Sequence, residues 1–136
     1  VREYENQKPK RMAFPSPAMD YKEEMISLDR HIIRNPTSTF MMEADSLAMV
    51  GIGIYPKTIL VIDRSLTPKS GDVIVAAVQG EYQVRFLKKN QFKGWLCPAN
   101  RTMKEVQITP EMDVQVFGVV ISYITDPRNV QYVFAG

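Results

Sequence analysis

Asp72-Val-Ile-Val-Ala-Ala-Val78, Gln79-Gly80, Glu81-Tyr-Gln-Val-Arg-Phe-Leu87 is the stretch that decides the fold. The first run is apolar, β-branched and short, as a strand covered on both faces should be. Gln79-Gly80 supplies a two-residue turn, and Tyr82, Val84 and Phe86 then alternate with Glu81, Gln83 and Arg85. Two strand patterns joined by a tight Gly-containing turn predict an antiparallel hairpin.

Upstream, Ile59-Leu-Val-Ile-Asp63 has the same β-branched character. Downstream, Phe92 to Leu96 and Glu105 to Ile108 read as further strands, and Asp113 to Ile124 as a long one bent at Gly118. Short strands at regular spacing with little helix predict a mostly β fold: a small, curled antiparallel domain. The expected helix is Leu28 to Arg34, with Ser27 as N-cap, Leu28 and Ile32 one turn apart, and Asn35-Pro36 as the stop. Residues 1–27 are polar, hold Pro9, Pro15 and Pro17, and lack a sustained period, which predicts an extended or disordered arm. Lys8-Pro-Lys-Arg11 within it reads as solvated arm rather than a phosphate site. The division is thus an arm over 1–27 and a β domain over 28–136. Met41, Met42, Met49, Met103 and Met112 are assigned to core filling.

Composition narrows the chemistry. The chain has 136 residues, one domain's worth, with 17 Lys and Arg against 15 Asp and Glu, a net charge of +2. That balance does not by itself signal nucleic-acid binding, and no sequence-specific contact with nucleic acid is expected. With one His and one Cys, an intrachain disulfide framework and a multi-Cys zinc site are excluded, and no metal or cofactor is expected. His31 reads as an ordinary helix residue, and Cys97, at a strand end before Pro98, as an inert thiol. The longest apolar run, Val73 to Val78, is far short of the ~20 residues that span a membrane. The polar start predicts no signal peptide, hence a cytoplasmic location and no membrane partner.

A set of strings, in order and with nearly no gaps, closely resembles the UmuD/MucA-like SOS mutagenesis proteins, members of the LexA-type family of self-cleaving Ser–Lys peptidases. Phe14-Pro-Ser-Pro-Ala18 with Asp20-Tyr21 looks like the segment after that family's cleavage site. Asn35-Pro-Thr-Ser-Thr-Phe40 is similar to the run before the nucleophile. Leu60-Val-Ile-Asp63 with Ser65-Leu66, Ser70-Gly-Asp-Val-Ile-Val-Ala-Ala-Val78, then Gly80, Glu81, Tyr82 and Val84, and finally Phe117-Gly-Val-Val120 follow in register. The resemblance covers about residues 13–124. It implies a dimeric, curled β domain with a short N-terminal helix, which agrees with the reading from periodicity. It also implies an SOS role in DNA damage and repair as an accessory subunit of error-prone translesion synthesis. The implied partners are a Y-family polymerase subunit, the recombinase filament or the sliding clamp, with pairing as a homodimer or with a UmuD-like homologue.

The family cuts its own arm with a Ser nucleophile and a Lys base that burial keeps neutral. Here the nucleophile position reads Ala48, before Met49, and the base position, after Val84, reads Arg85. A methyl cannot attack a carbonyl, and a guanidinium with a pKa above ~12 cannot take the proton. The scissile pair aligns with Met12-Ala13, where the family has Gly in the second position. Ser46 would be an alternative nucleophile if its stretch were a strand, on the same face but displaced by roughly 6–7 Å. The family's usual Gly-Asp before Ile59 is replaced by Lys57-Thr58, so the resemblance does not specify that loop's shape. The resulting expectation is a pseudo-peptidase that acts by binding. Its rivals are an active serine-type self-peptidase whose Ala48 is an artificial Ser replacement, and the C-terminal domain of a LexA-like repressor. Against the latter, the 27-residue arm has no room for a helix-turn-helix.

Overall fold

The computed structural model describes Arg2–Glu3 and residues 27–130. Eight strands form one open antiparallel sheet: β1 (Arg2–Glu3), β2 (Thr39–Glu43), β3 (Ile59–Asp63), β4 (Val73–Val78), β5 (Glu81–Lys89), β6 (Gly94–Cys97), β7 (Val106–Gln107) and β8 (Val114–Ile124). Their spatial order is β1-β2-β3-β8-β4-β5-β6-β7, so the last long strand inserts at the centre and joins the two halves. The mostly β, curled antiparallel fold is the one expected from the strand pattern.

The β4–β5 hairpin is as read. Val78 pairs with Glu81 across Gln79 (φ 51°) and Gly80 (φ 84°), both left-handed, which matches the right-handed strand twist. Because β4 is central, both its faces are covered. Val75 joins Met42, Ala44, Ala48, Met49, Ile54, Leu60, Ile62 and Val84 on one side of the sheet. Ile74 and Ala76 join Leu87, Leu96 and Val119 on the other. Tyr82, which alternates with Val84 along β5, is 42% exposed at the hairpin end, its ring edge-on against Phe117.

The register of β8 steps twice. Phe117 is the extra residue opposite Val75 and Ala76, and Ile121 the extra one opposite Val61 and Ile62. Each bulge adds bend and twist, which curls the sheet over its first core. Gly118 sits beside the first bulge, where a Cβ would lie 2.6 Å from Ile62 Cγ2 and 3.2 Å from the Asp63 carbonyl oxygen. The expected bend at Gly118 is therefore a bulge next to a backbone contact that admits no side chain.

Three expected elements are shorter than the sequence pattern implied. The helix, α1, is Leu28–Ile32, ending before Arg34, and Ser27 makes no side-chain cap bond. All its residues are at least partly exposed, so no buried face extends it. Phe92 is not in a strand: Asn90 Oδ1 accepts from the Phe92 and Lys93 amides (2.9 and 2.8 Å) and closes a turn there instead. The Glu105–Ile108 strand contracts to Val106–Gln107. Of the methionines assigned to the core, Met42 and Met49 are buried, whereas Met103 is on the surface. Among the described residues no helix is long and apolar enough to cross a membrane.

Lys57, at the position where the resemblance implies Gly, adopts a left-handed backbone with φ 75°. Its amide donates to the Ala44 carbonyl (2.7 Å), and Thr58 after it is buried, its hydroxyl accepting from the Tyr55 amide (2.9 Å) and pairing with Thr125 Oγ1 (2.9 Å). The hydrogen bonds around Lys57 hold a conformation its Cβ disfavours.

Two substitutions test this frame by urea denaturation. Gly118→Ala should lower unfolding free energy by about 1–3 kcal/mol through overpacking against Ile62. Lys57→Gly should raise it by about 0.5–1 kcal/mol, the relieved left-handed strain outweighing the added chain entropy.

Candidate functional site

Beyond β2 the chain leaves the ladder at Ala44 and folds into a compact loop that ends in a 3-10 turn, Val50–Ile52. Ala48 lies in this loop and is 1% exposed, its methyl packed in the cluster that contains Met49, Val75 and Val84. The Ala48 amide donates to Ser46 Oγ (3.3 Å), and its carbonyl accepts from the Ala99 amide (2.8 Å). Gly51 N–H donates to the Ala99 carbonyl (2.7 Å), and Asn100 Nδ2 donates to the Leu47 carbonyl (2.9 Å). A Cβ on Gly51 would fall 2.6 Å from the Ala99 oxygen, so glycine is required where the two loops close on each other. These bonds fix the backbone around Ala48 from both sides.

Val84 precedes Arg85 on β5 and shares the Ala48 cluster, so the loop carrying residue 48 is packed against the strand carrying residue 85. Arg85 is half-buried, and its Nη1 donates to the Val84 carbonyl (2.7 Å). Burial lowers its pKa from the ordinary guanidinium value. A cleft of about 520 Å³ opens here, lined by Asp45, Ser46, Tyr82, Val84 and Arg85 among others. The fold thus brings the loop containing Ala48 and the strand containing Arg85 to one place. Met12 and Ala13 lie outside the described residues.

The remaining candidates are not gathered there. The stretch carrying Ser46 is a turn rather than a strand, and its hydroxyl accepts from the Ala48 amide, so it does not share a strand face with residue 48. His31 is exposed on α1. Cys97 ends β6, half-buried, and its thiol faces Glu105 Oε2 at 3.5 Å. Partial burial and then Glu105 push its pKa up, which disfavours the reactive thiolate.

A structural centre that residue types did not reveal surrounds Asp63, which is 2% exposed. Its carboxylate accepts from Asn35 Nδ2 (3.0 Å), Ser38 Oγ (3.0 Å), the Ser65 amide (2.8 Å) and Ser65 Oγ (2.6 Å). Donation by Ser65 first, then Asn35, holds its pKa at about 2. Asn35-Pro-Thr-Ser38 and Asp63-Arg-Ser65, separate strings in the sequence, are therefore one hydrogen-bonded unit that pins the entry to β2 onto the end of β3. Their shared ability to pair with one carboxylate was the signal available.

The comparisons agree with this architecture. The family model for Peptidase S24-like proteins matches residues 9–121. The chain is 34% identical to Protein SamA of Salmonella typhimurium (strain LT2) over 116 residues, 85% of this chain and 80% of SamA. It is 32% identical to Protein ImpA of Shigella flexneri over 118 residues, 87% of this chain and 80% of ImpA. It is also 32% identical to Protein MucA of Escherichia coli over 108 residues, 79% of this chain and 73% of MucA. A curled antiparallel domain with these strings in register defines the class, and the chain belongs to the Peptidase S24-like family. Within that LexA-type family it is similar to the UmuD-like SOS mutagenesis proteins.

Since the Asp63 carboxylate titrates near 2 when folded and near 3.8 ordinarily, its stabilising contribution is complete above about pH 4 and lost as pH falls through 2. Urea midpoints measured between about pH 5 and 2 should decline over this window, and Asp63→Asn should reduce the pH-dependent part of that decline.

Proposed function

We propose that this protein is a UmuD-like accessory subunit of SOS-induced error-prone translesion synthesis that works by dimerisation and protein binding and no longer cleaves itself. Family membership supports the SOS mutagenesis role. The observation that carries the loss of cleavage is the pair Ala48 and Arg85, at the positions that resemble the family's nucleophile and base. Ala48 presents a buried methyl in a rigidly bonded loop, and Arg85 stays protonated despite its burial, because a guanidinium has so high an intrinsic pKa. Ser46 and Cys97 do not compensate: one hydroxyl is engaged with a backbone amide, and one thiol has its pKa raised.

With the Met12-Ala13 bond intact, the arm persists as it does in an uncut precursor. The partners proposed for the domain are a second copy or a UmuD-like homologue, a Y-family polymerase subunit, the recombinase filament or the sliding clamp. The reading of an active enzyme disabled by an artificial Ala48 leaves Arg85 and Ala13 unexplained, since one substitution at the nucleophile changes neither.

Incubation with activated recombinase filament, or at alkaline pH, should leave the intact mass unchanged. Ala48→Ser alone should also remain uncut, because Arg85 cannot accept the hydroxyl proton. A fragment beginning at Ala13 or Phe14 in either experiment overturns the proposal.

A further inference from the structure

The charges of this chain are segregated. Between Glu81 and Glu105 stand Arg85, Lys88, Lys89, Lys93, Arg101 and Lys104, and no acid, although the chain as a whole is only +2. The other residues therefore carry a net negative charge. Folding gathers much of this run at one end of the sheet, because β5, the 90–93 turn and β6 are consecutive neighbours. The Lys88 ammonium bonds both Glu105 oxygens (2.9 and 2.8 Å), which brings the loop bearing Lys104 alongside. Lys69 joins from the loop before β4, where the Lys89 amide donates to Ser70 Oγ (3.1 Å). Lys89 Nζ donates to the Pro68 carbonyl (3.0 Å), a contact that leaves its charge uncompensated. The acids nearby are Glu105, paired with Lys88, Asp72, which accepts from the Lys69 amide, and Glu111 and Asp113 in and just after the 3-10 turn Pro110–Met112 that borders this end.

An aromatic side chain projects from the middle of this basic end. Phe92 is 90% exposed, the most exposed large apolar residue among those described. It is held there by a closed turn: the Asn90 side chain takes the Phe92 and Lys93 amides, and the Asn90 amide donates to the Lys93 carbonyl (2.9 Å). A shallow depression of about 530 Å³ adjoins it, bordered by Lys93, Gln107, Thr109 and Asp113 among others. Trp95, half-buried, already carries the Lys88 ammonium over its ring at 4.7 Å.

A preorganised exposed ring among uncompensated lysines fits a flexible polyanion whose units carry flat π faces. We propose that the β5–β6 turn is a sequence-independent binding surface for single-stranded nucleic acid, with a base stacking on Phe92 and phosphates meeting Lys69, Lys89, Lys93 and Lys104. Duplex DNA presents the same phosphates but keeps its base faces stacked, so the ring selects the single strand. The proposed contacts use neither Ala48 nor Arg85 and do not depend on whether cleavage has been lost.

The test is fluorescence anisotropy of a labelled oligo-dT of about 20 nucleotides with the full chain at low salt. Binding should weaken with salt along a log–log slope of about −2 to −3, as contact with three or four phosphates requires. Phe92→Ala should cut affinity by about five-fold or more with little change in that slope. Lys89→Gln with Lys93→Gln should flatten the slope by about 1.4. All three positions are exposed, and an unchanged melting temperature shows that the fold is kept. Absence of binding at about 50 mM salt, or affinity indifferent to Phe92→Ala, overturns the proposal. Equal competition by duplex DNA or by polyglutamate also overturns it, and assigns the basic end to polyanions generally or to an acidic protein surface.

Discussion

The close approach of β8 to β3 at Gly118 is the contact on which the rest of the molecule depends. β8 is the shared neighbour of β3 and β4, so its backbone joins the hydrogen-bonded ladders of the two halves. With no side chain at residue 118, Ile62 and the Asp63 carbonyl can come within van der Waals distance of the strand. The bulges at Phe117 and Ile121 then curl the sheet so that Leu60, Ile62, Val75 and Val84 converge on one core. The loop that carries Ala48 closes the open side of that core with the buried side chains of Ala44, Ala48 and Met49. Strand pairing at the centre thereby decides where the candidate site is assembled.

Two polar devices hold the loops that the sheet does not. The Asp63 carboxylate, saturated by Asn35, Ser38 and Ser65, anchors the chain entering β2, and burial of a charge is tolerable there because each hydrogen bond goes to its ionised form. The reciprocal bonds among Leu47, Ala48, Gly51, Ala99 and Asn100 fasten the loop of residue 48 to the loop after β6. The loop these bonds fasten holds the Ala48 methyl in the core. Ala48 fills space beside Met49 and Val84, so the loop is part of the core it covers.

Much of the fold was legible in the chain. β3 and the β4–β5 hairpin follow from β-branched runs and from Gln79-Gly80, because these interactions are local and period-two. The elements that were overextended are those whose ends are decided by side-chain competition. Asn90 captures the amides of Phe92 and Lys93, so a strand pattern becomes a turn. α1 stops at Ile32 because no apolar surface receives another turn. Tyr82 alternates correctly yet stands half in solvent, since alternation specifies a face and not how far the core extends beneath it.

The sequence by itself determined the strand content, the hairpin, the family strings and the residue types at positions 48 and 85, because these are properties of local pattern and side-chain chemistry. Only the tertiary structure decided that β8 lies between β3 and β4, that Asn35 and Ser38 meet Asp63, and that the loop of Ala48 packs against the strand of Arg85. It also decided that Lys69, Lys89 and Lys93 share one end of the sheet with Phe92. Such juxtapositions join residues far apart in the chain, and they arise from the common packing of all strands rather than from any segment's own preference.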